Sequence, residues 1–556
     1  MSQITRRSAL SLAAGGAAAF CLGSVGRARE AVPKRRLLFN WDGSMIHCWG
    51  RTLFPGSQQP LTREQFVSLV FTPIENTAVD AVLFSFGSGN VAEYESRVLE
   101  WPGQADDFIF PESKTWHGGI EVDPQDQYRN PKSLADAGHN PPAVVVEECH
   151  KRNMAAFVSL RMNDTHDGQH PRGKLPNPEL PTFKRHNLDW LVETLDRWTA
   201  LDYRRPQVRA LKLRVIEEFF DRWDFDGIEL DWLRHTLNFP RGEEQKSAKH
   251  LTDFLRKVRR TLDERGAARG RPIELAVRIP ERLEWCLLGG YDVPAWIDEG
   301  LCDMLILGQG LTELPDLGEF HSVMKTRRLP IYPSLYPYGN GYKISPDEVI
   351  RGSAANLWNA GADGLYAFNW FHHGTWRKQL LNEIADPHTL AGKLRQYTLT
   401  HRFDVGRRVG TDYLRFSTCY REPLVPFELN VEDGMKSVPI SVAPAPQSAE
   451  LWVQFRYSMP GDQVTVTVNG QKLGEARLGI SENLKPAGFE VVIPPESGML
   501  GLPLRGTVDQ RYQALRLPVP SELVKPGRNA IGVELNTRGP GSEKSLQVAR
   551  IELAAT

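Results

Sequence analysis

The chain has 556 residues, too many for a single hydrophobic core, and its 67 Lys and Arg nearly balance 68 Asp and Glu, for a formal net charge of −1. No long block of either sign occurs, which argues against a nucleic-acid partner or an anionic membrane surface. The cysteines, Cys21, Cys48, Cys149, Cys286, Cys302 and Cys419, are scattered without a CxxC pair, so neither a disulfide framework nor a zinc ribbon is indicated.

The opening stretch, ITRRSALSLAAGGAAAFCLGSVGRARE, sets Arg6 and Arg7 before a mildly apolar run that closes on small residues near Ala28. This is similar to a twin-arginine export signal over residues 1–30 and implies a periplasmic or secreted mature protein. The run is too short and too rich in Gly and Ala to serve as a membrane span.

From Leu37 to about Trp370 an apolar run, a loop and an amphipathic helix alternate. The runs are LLFNWD, DAVLFSFG, AAFVSLRMND, FDGIELDW, IELAVRIP, DMLILGQG, PIYPSLYP and DGLYAFNW. Short, near-continuous apolar strands between helices predict a parallel sheet, and eight units predict an α/β fold, a (β/α)8 TIM barrel over residues 31–400. An open doubly wound sheet competes, but no glycine-rich phosphate turn follows the first run. Ser345, Pro346 and Glu348 read as N-cap, N1 and N3 of a capping box, and a helix with Leu251, Phe254, Leu255, Val258 and Leu262 on one face is expected to stop at Gly266. Long insertions, roughly Ser88 to Asn140 and DGQHPRGKLPNPELPTFKRHN, leave the strand ends where barrel enzymes build their sites. After about Thr400 the sequence alternates strands with Pro/Gly turns, predicting an all-β sandwich over residues 401–556 with an Asn469-Gly470 hairpin turn.

Within FDGIELDW a period of two puts Glu229 and Asp231 on the face opposite Ile228, Leu230 and Trp232. Like charges so close oppose each other, and a chain tolerates them mainly where chemistry or binding repays it. The other predicted strand ends offer Asn40 and Asp42, then Arg161, Asn163, Asp164 and His166, then Arg278 and Glu281. Gln309, Tyr332, Tyr336, Asn369, Trp370, His372 and His373 complete the rim. Aromatics Trp41, Trp49, Trp232, Tyr336, Tyr338, Trp370 and Phe371 suit the apolar faces of sugar rings.

FDGIELDW resembles the strand-four motif of glycoside hydrolase barrels, and with FVSLRMNDTH the chain resembles the bacterial family-10-like glycosyl hydrolases; its tail resembles their jelly-roll accessory domains. The sequence departs from the family-18 pattern DxxDxDxE, with Leu233 where the proton donor should stand, and the seventh run carries no carboxylate. The α-amylase-like and α-galactosidase-like arrangement implies Asp231 as nucleophile and Glu281 as proton donor, with Glu284 in reserve and Glu229 orienting a hydroxyl or tuning Asp231. Substrate contacts are then expected from Asp42, Arg161, Asn163, Asp164, His166, Trp232, Arg278, Gln309, Tyr336, Asn369 and Trp370. The two arginines suggest an acidic glycan. Rival readings are a non-catalytic carbohydrate-binding protein and a metal-dependent hydrolase using His166, Asp164, His372 and His373. The latter lacks the HxH pair after the first strand, and no metal or cofactor is expected.

Overall fold

The structure, a computed structural model, describes residues 33–556 except 49–53, 55–60, 105–114, 118–119, 123–124, 169–177, 193–197, 309–315, 338–344, 371–376, 400–423, 480–487, 493–502, 508–513 and 542. The export-signal stretch and Gln309, Trp49, Tyr338, Phe371, His372 and His373 therefore lie outside the described residues.

The apolar runs form strands β1 (Leu37–Asp42), β2 (Val79–Ser85), β3 (Ala155–Arg161), β4 (Gly227–Asp231), β5 (Glu274–Ile279), β6 (Met304–Leu307), β7 (Ile331–Leu335) and β8 (Leu365–Ala367). Each pairs in parallel with the next, and β8 pairs with β1, closing a barrel. The strands are buried on both faces because helices cover the outside, which is why they read as continuous apolar runs. Outward strand residues such as Ile228 and Leu230 and helix residues such as Phe254 and Val258 form one core.

Register decides which polar residues meet inside. Arg161 on β3, Asp231 on β4 and Arg278 on β5 are direct partners across adjacent strands. Two residues lower, Glu229 stands beside Ser159 and Ala276. Gly227 opens β4 where backbone and ring crowd it: a Cβ there would lie 2.2 Å from the Phe157 ring and 2.7 Å from the Glu274 carbonyl oxygen. Gly227→Ala is expected to destabilise the protein by about 1–3 kcal/mol, seen as a lower thermal midpoint.

Two helix ends differ from the sequence expectation. The helix Asp347–Asn359 starts one residue later than the capping box requires: Pro346 is its N-cap, and no side chain caps it. The helix Glu244–Arg269 runs through Gly266, which sits under the Arg271 carbonyl, and stops at left-handed Gly270.

The strands after the barrel are β9 (Arg395–Thr398), β10 (Phe427–Leu429), β11 (Lys436–Val442), β12 (Ala449–Arg456), β13 (Gln463–Val468) and β14 (Gln471–Arg477). They continue as β15 (Gly488–Val492), β16 (Pro503–Thr507), β17 (Ala514–Val519), β18 (Gly527–Thr537) and β19 (Leu546–Ala555). One antiparallel sheet runs β9-β19-β12-β17, with β10 also on β19; the other runs β11-β18-β13-β14. Inward residues of both, among them Leu451, Val453, Val464, Val466, Ile531 and Ile551, form a second core. Asn469 and Gly470, both with positive φ (51° and 82°), turn β13 into β14. Residues 34–556 form one compact unit. The helix Asp347–Asn359 holds the sandwich against the barrel: Gly352 meets the Gln396 backbone, and Asn356 donates to the Ser441 carbonyl at 3.0 Å.

Candidate active site

The C-terminal ends of β1, β3, β4 and β5 carry a network of carboxylates and guanidiniums. Asp231 accepts from Arg278 at 2.9 Å through Oδ2 and from the Leu233 N–H at 2.9 Å through Oδ1. Arg278 is fully buried, reaches the Gly308 carbonyl at 3.4 Å, and lies 3.7 Å from the centre of the Phe368 ring. Arg161 joins Asp42 at 2.5 Å and Asp164 at 3.1 Å. Burial opposes ionisation of Asp42, but Arg161 and Arg234 hold its carboxyl below the usual range. Burial likewise opposes Asp164, which His166, Arg161 and His235 hold well below that range.

Glu229 lies beneath this row. Its Oε1 accepts from the Tyr366 hydroxyl at 2.8 Å, and its Oε2 is buried without a hydrogen-bond partner. Burial first, then Asp231, pushes Glu229 up to about 7, against the opposing pull of Arg278, the neighbouring Ser159 and the Tyr366 hydroxyl. Glu281 follows β5 and folds onto Gly308, where a Cβ would lie 2.4 Å from its Oε2. Through the Gly308 carbonyl, Arg278 thus links the neighbourhoods of Asp231 and Glu281. Glu284 is exposed on the helix Leu283–Leu288, away from this buried network.

Several residues expected to touch substrate have other duties. Trp232 is fully buried on the outer side of β4 among Tyr203, Phe254 and Tyr291, so it packs the barrel rather than supporting a sugar. Trp41 and Trp370 also belong to that core, and Trp41 donates to the Val70 carbonyl. Asn163 is consumed by backbone: its Nδ2 donates to the Leu201 and Leu237 carbonyls and its Oδ1 accepts from the Leu201 N–H. Tyr336 is half-buried, 6.1 Å from the Phe368 ring centre. Asn369 has a positive φ of 47° and a buried Oδ1 without a partner.

The sequence reading missed Arg234 and His235. Asp164 accepts the His166 N–H at 2.8 Å and lies 2.6 Å from its Nδ1, while Arg234 stands 3.4 Å from His166 Nε2. Ligand atoms of Asp164, His166 and His235 lie within 4.8 Å of one another, the spacing of a metal centre. Arg161 and Arg234 on the same carboxylate oppose a divalent cation there, and His235 Nδ1 is already engaged by the Thr165 N–H at 3.1 Å. These residues do not fit a metal site.

Glu93 was also missed. It is 1% exposed, its Oε2 lacks a hydrogen-bond partner, and Gln127 donates to it at 3.2 Å and to Glu179 at 3.0 Å. Burial, with Asp42 and Glu179 nearby, pushes Glu93 from its ordinary 4.5 up to about 8. In the folded chain it stays protonated to about pH 8, whereas unfolded it ionises near 4.5, so its contribution to stability falls as pH climbs between those values. Glu93→Gln is expected to stabilise the protein, by up to a few kcal/mol near pH 8 and by little near pH 5, as read from denaturation midpoints.

No family model matches the chain, and no curated protein matches it. Among solved structures it is similar to the glycoside hydrolase domain of PgaB (BpsB) from Bordetella bronchiseptica, with 11% identity, 64% of this chain and 99% of that one covered, and a TM-score of 0.38. It is also similar to the endo-β-1,4-mannanase of Thermotoga petrophila, with 10% identity, 87% and 98% coverage, and a TM-score of 0.41. For a cycloisomaltooligosaccharide glucanotransferase of Paenibacillus sp. the identity is 9% and the TM-score 0.29; 93% of this chain is covered but only 57% of the other protein's length. Similarity at this level leaves the chemistry to be read from the site itself.

Proposed function

We propose that the protein is a glycoside hydrolase acting on a poly- or oligosaccharide. The observation that carries this reading is the row Arg161–Asp231–Arg278 at the C-terminal mouth of a closed barrel, with buried partnerless polar atoms on Asp42, Glu229, Arg278 and Asn369 around it. Buried polar groups are almost always hydrogen-bonded, so such clustering marks a place built for a ligand rich in hydroxyl groups.

In this reading Asp231 attacks the anomeric carbon while Glu281 gives its proton to the leaving oxygen; water then cleaves the glycosyl-enzyme bond with Glu281 as base. Arg278 fixes the Asp231 carboxylate and Glu229 supports it from below. The acidic-glycan expectation loses its first support, because Arg161 and Arg278 are each already paired with carboxylates of the chain. A non-catalytic sugar-binding protein is the second reading, favoured by the hydrogen bonds that occupy both oxygens of Asp231.

The test is release of reducing ends from a panel of polysaccharides, followed by Glu281→Gln. That variant is expected to lose activity on natural linkages by at least about a hundredfold, yet to keep much of it on aryl glycosides whose leaving groups need no proton. No turnover across the panel would favour the binding protein, and equal losses on both substrate types would remove Glu281 from the donor role.

A further inference from the structure

The peptide group between Arg161 and Met162 joins two parts of the barrel that the sequence keeps far apart. Its N–H, that of Met162, donates to the Asp231 carbonyl at 3.0 Å, and its own carbonyl, that of Arg161, accepts from Lys212 Nζ at 3.3 Å. Lys212 stands on the helix Pro206–Arg222 and is fully buried. Its ammonium also donates to the Gly89 carbonyl at 2.6 Å and to Asn90 Oδ1 at 3.3 Å, both in the segment that follows β2. Three N–H groups meet three oxygens, and none of those oxygens belongs to a carboxylate. The contact is close: Gly89 has a φ of +72°, and a Cβ there would lie 2.4 Å from the Arg161 carbonyl oxygen. Asn90 in turn donates to the Asp164 carbonyl at 2.8 Å, which also accepts from Lys184 at 3.2 Å.

A buried ammonium with only neutral hydrogen-bond partners is costly to keep. Burial first, and the neighbouring Lys184 second, pull Lys212 down to about 7, against the opposing Asp164 and Asp167. Folded, it gives up its proton near neutral pH, whereas unfolded it holds that proton to about pH 10, so stability rises with pH between the two. The chain therefore keeps a charge that works against its own stability, a trade characteristic of residues that serve function. A charged donor on a peptide carbonyl also strengthens the bond that the same peptide makes through its N–H. Here that bond ends on Asp231.

We propose that Lys212 is a positioning residue for Asp231: its ammonium draws on the Arg161–Met162 peptide, whose N–H holds the Asp231 backbone where the carboxylate can meet the anomeric carbon. The proposal rests on the glycoside hydrolase reading for Asp231's being the nucleophile. Loss of the proton leaves two N–H groups for three oxygens, so the hold on Asp231 slackens as pH rises through neutrality.

The experiment compares the full chain with Lys212→Met from pH 6 to 9 on the polysaccharide that the native protein cleaves fastest, and follows amide hydrogen exchange of residues 160–164 without ligand. At pH 6 the variant is expected to lose about tenfold or more in kcat with KM within about twofold, and the native-to-variant ratio should shrink toward one by pH 9, where the native chain has lost the charge too. Other titrating groups cancel in that ratio. Exchange at 160–164, corrected for its intrinsic pH dependence, should be about tenfold faster in the variant at pH 6 and should converge by pH 9. A ratio that is the same at every pH, a loss confined to KM, or unchanged exchange would overturn the proposal. If Lys212→Met does not fold, the native chain decides alone: corrected exchange at 160–164 must quicken between pH 6 and 9, and steady protection overturns the proposal. Turnover with a pH-independent ratio would overturn it while leaving the hydrolase reading intact, whereas the expected exchange pattern without turnover on any polysaccharide would uphold the hold on the Asp231 backbone and remove the hydrolase reading.

Discussion

Asp231→Asn is expected to lower turnover by at least about three orders of magnitude while the substrate still binds. The substitution keeps the shape: an Asn oxygen can still accept from Arg278 or from the Leu233 N–H, so the row Arg161–Asn–Arg278 stays in register and the loss falls on chemistry. Asp231→Ala separates a nucleophile from a merely structural acid. It clears space beside the anomeric carbon, and added azide should restore product formation as a glycosyl azide, the anion taking over the bond that Asp231 would have made. A variant with near-normal turnover and no response to azide would sink the assignment and turn attention to Glu229.

Arg278→Met is the second substitution with a large expected effect, and it acts on stability. Arg278 is fully buried, its partner Asp231 is 5% exposed, and Glu229 lies one layer below. Methionine fills the volume against Phe368 but leaves a buried carboxylate unpaired beside a second acid, which typically costs about 3–5 kcal/mol. Denaturant titration should show that loss, and Asp231→Asn combined with Arg278→Met should recover a good part of it. If the double variant is as unstable as the single one, the guanidinium stabilises the barrel through Phe368 and Gly308 rather than through Asp231.

Much of the barrel was legible because each strand is a short apolar run between helices, and the period of two placed Glu229 and Asp231 together. The same rule put Trp232 on the opposite face, among Tyr203, Phe254 and Tyr291; treating it as a sugar platform set residue type above periodicity. Asn163 lies past the end of β3, where alternation no longer holds, and its amide clips loops that are distant in sequence. The alignment of Arg161, Asp231 and Arg278 depends on strand stagger, which no single strand encodes. Arg234, His235 and Glu93 sit in loops, and nothing in a loop's composition says that it returns over the barrel axis.

The sandwich strand β19 has consequences for biosynthesis. It pairs with β9, β10 and β12, so it lies inside its sheet rather than at the edge, yet the ribosome reaches it after every other strand described. Until it emerges, β9, which leads directly out of the barrel, exposes unpaired backbone, and Gln396, whose side chain reaches Glu552, has no partner for its amide. A nascent chain of this protein therefore carries an open strand edge from the synthesis of Arg395–Thr398 until the ten-residue strand Leu546–Ala555 arrives.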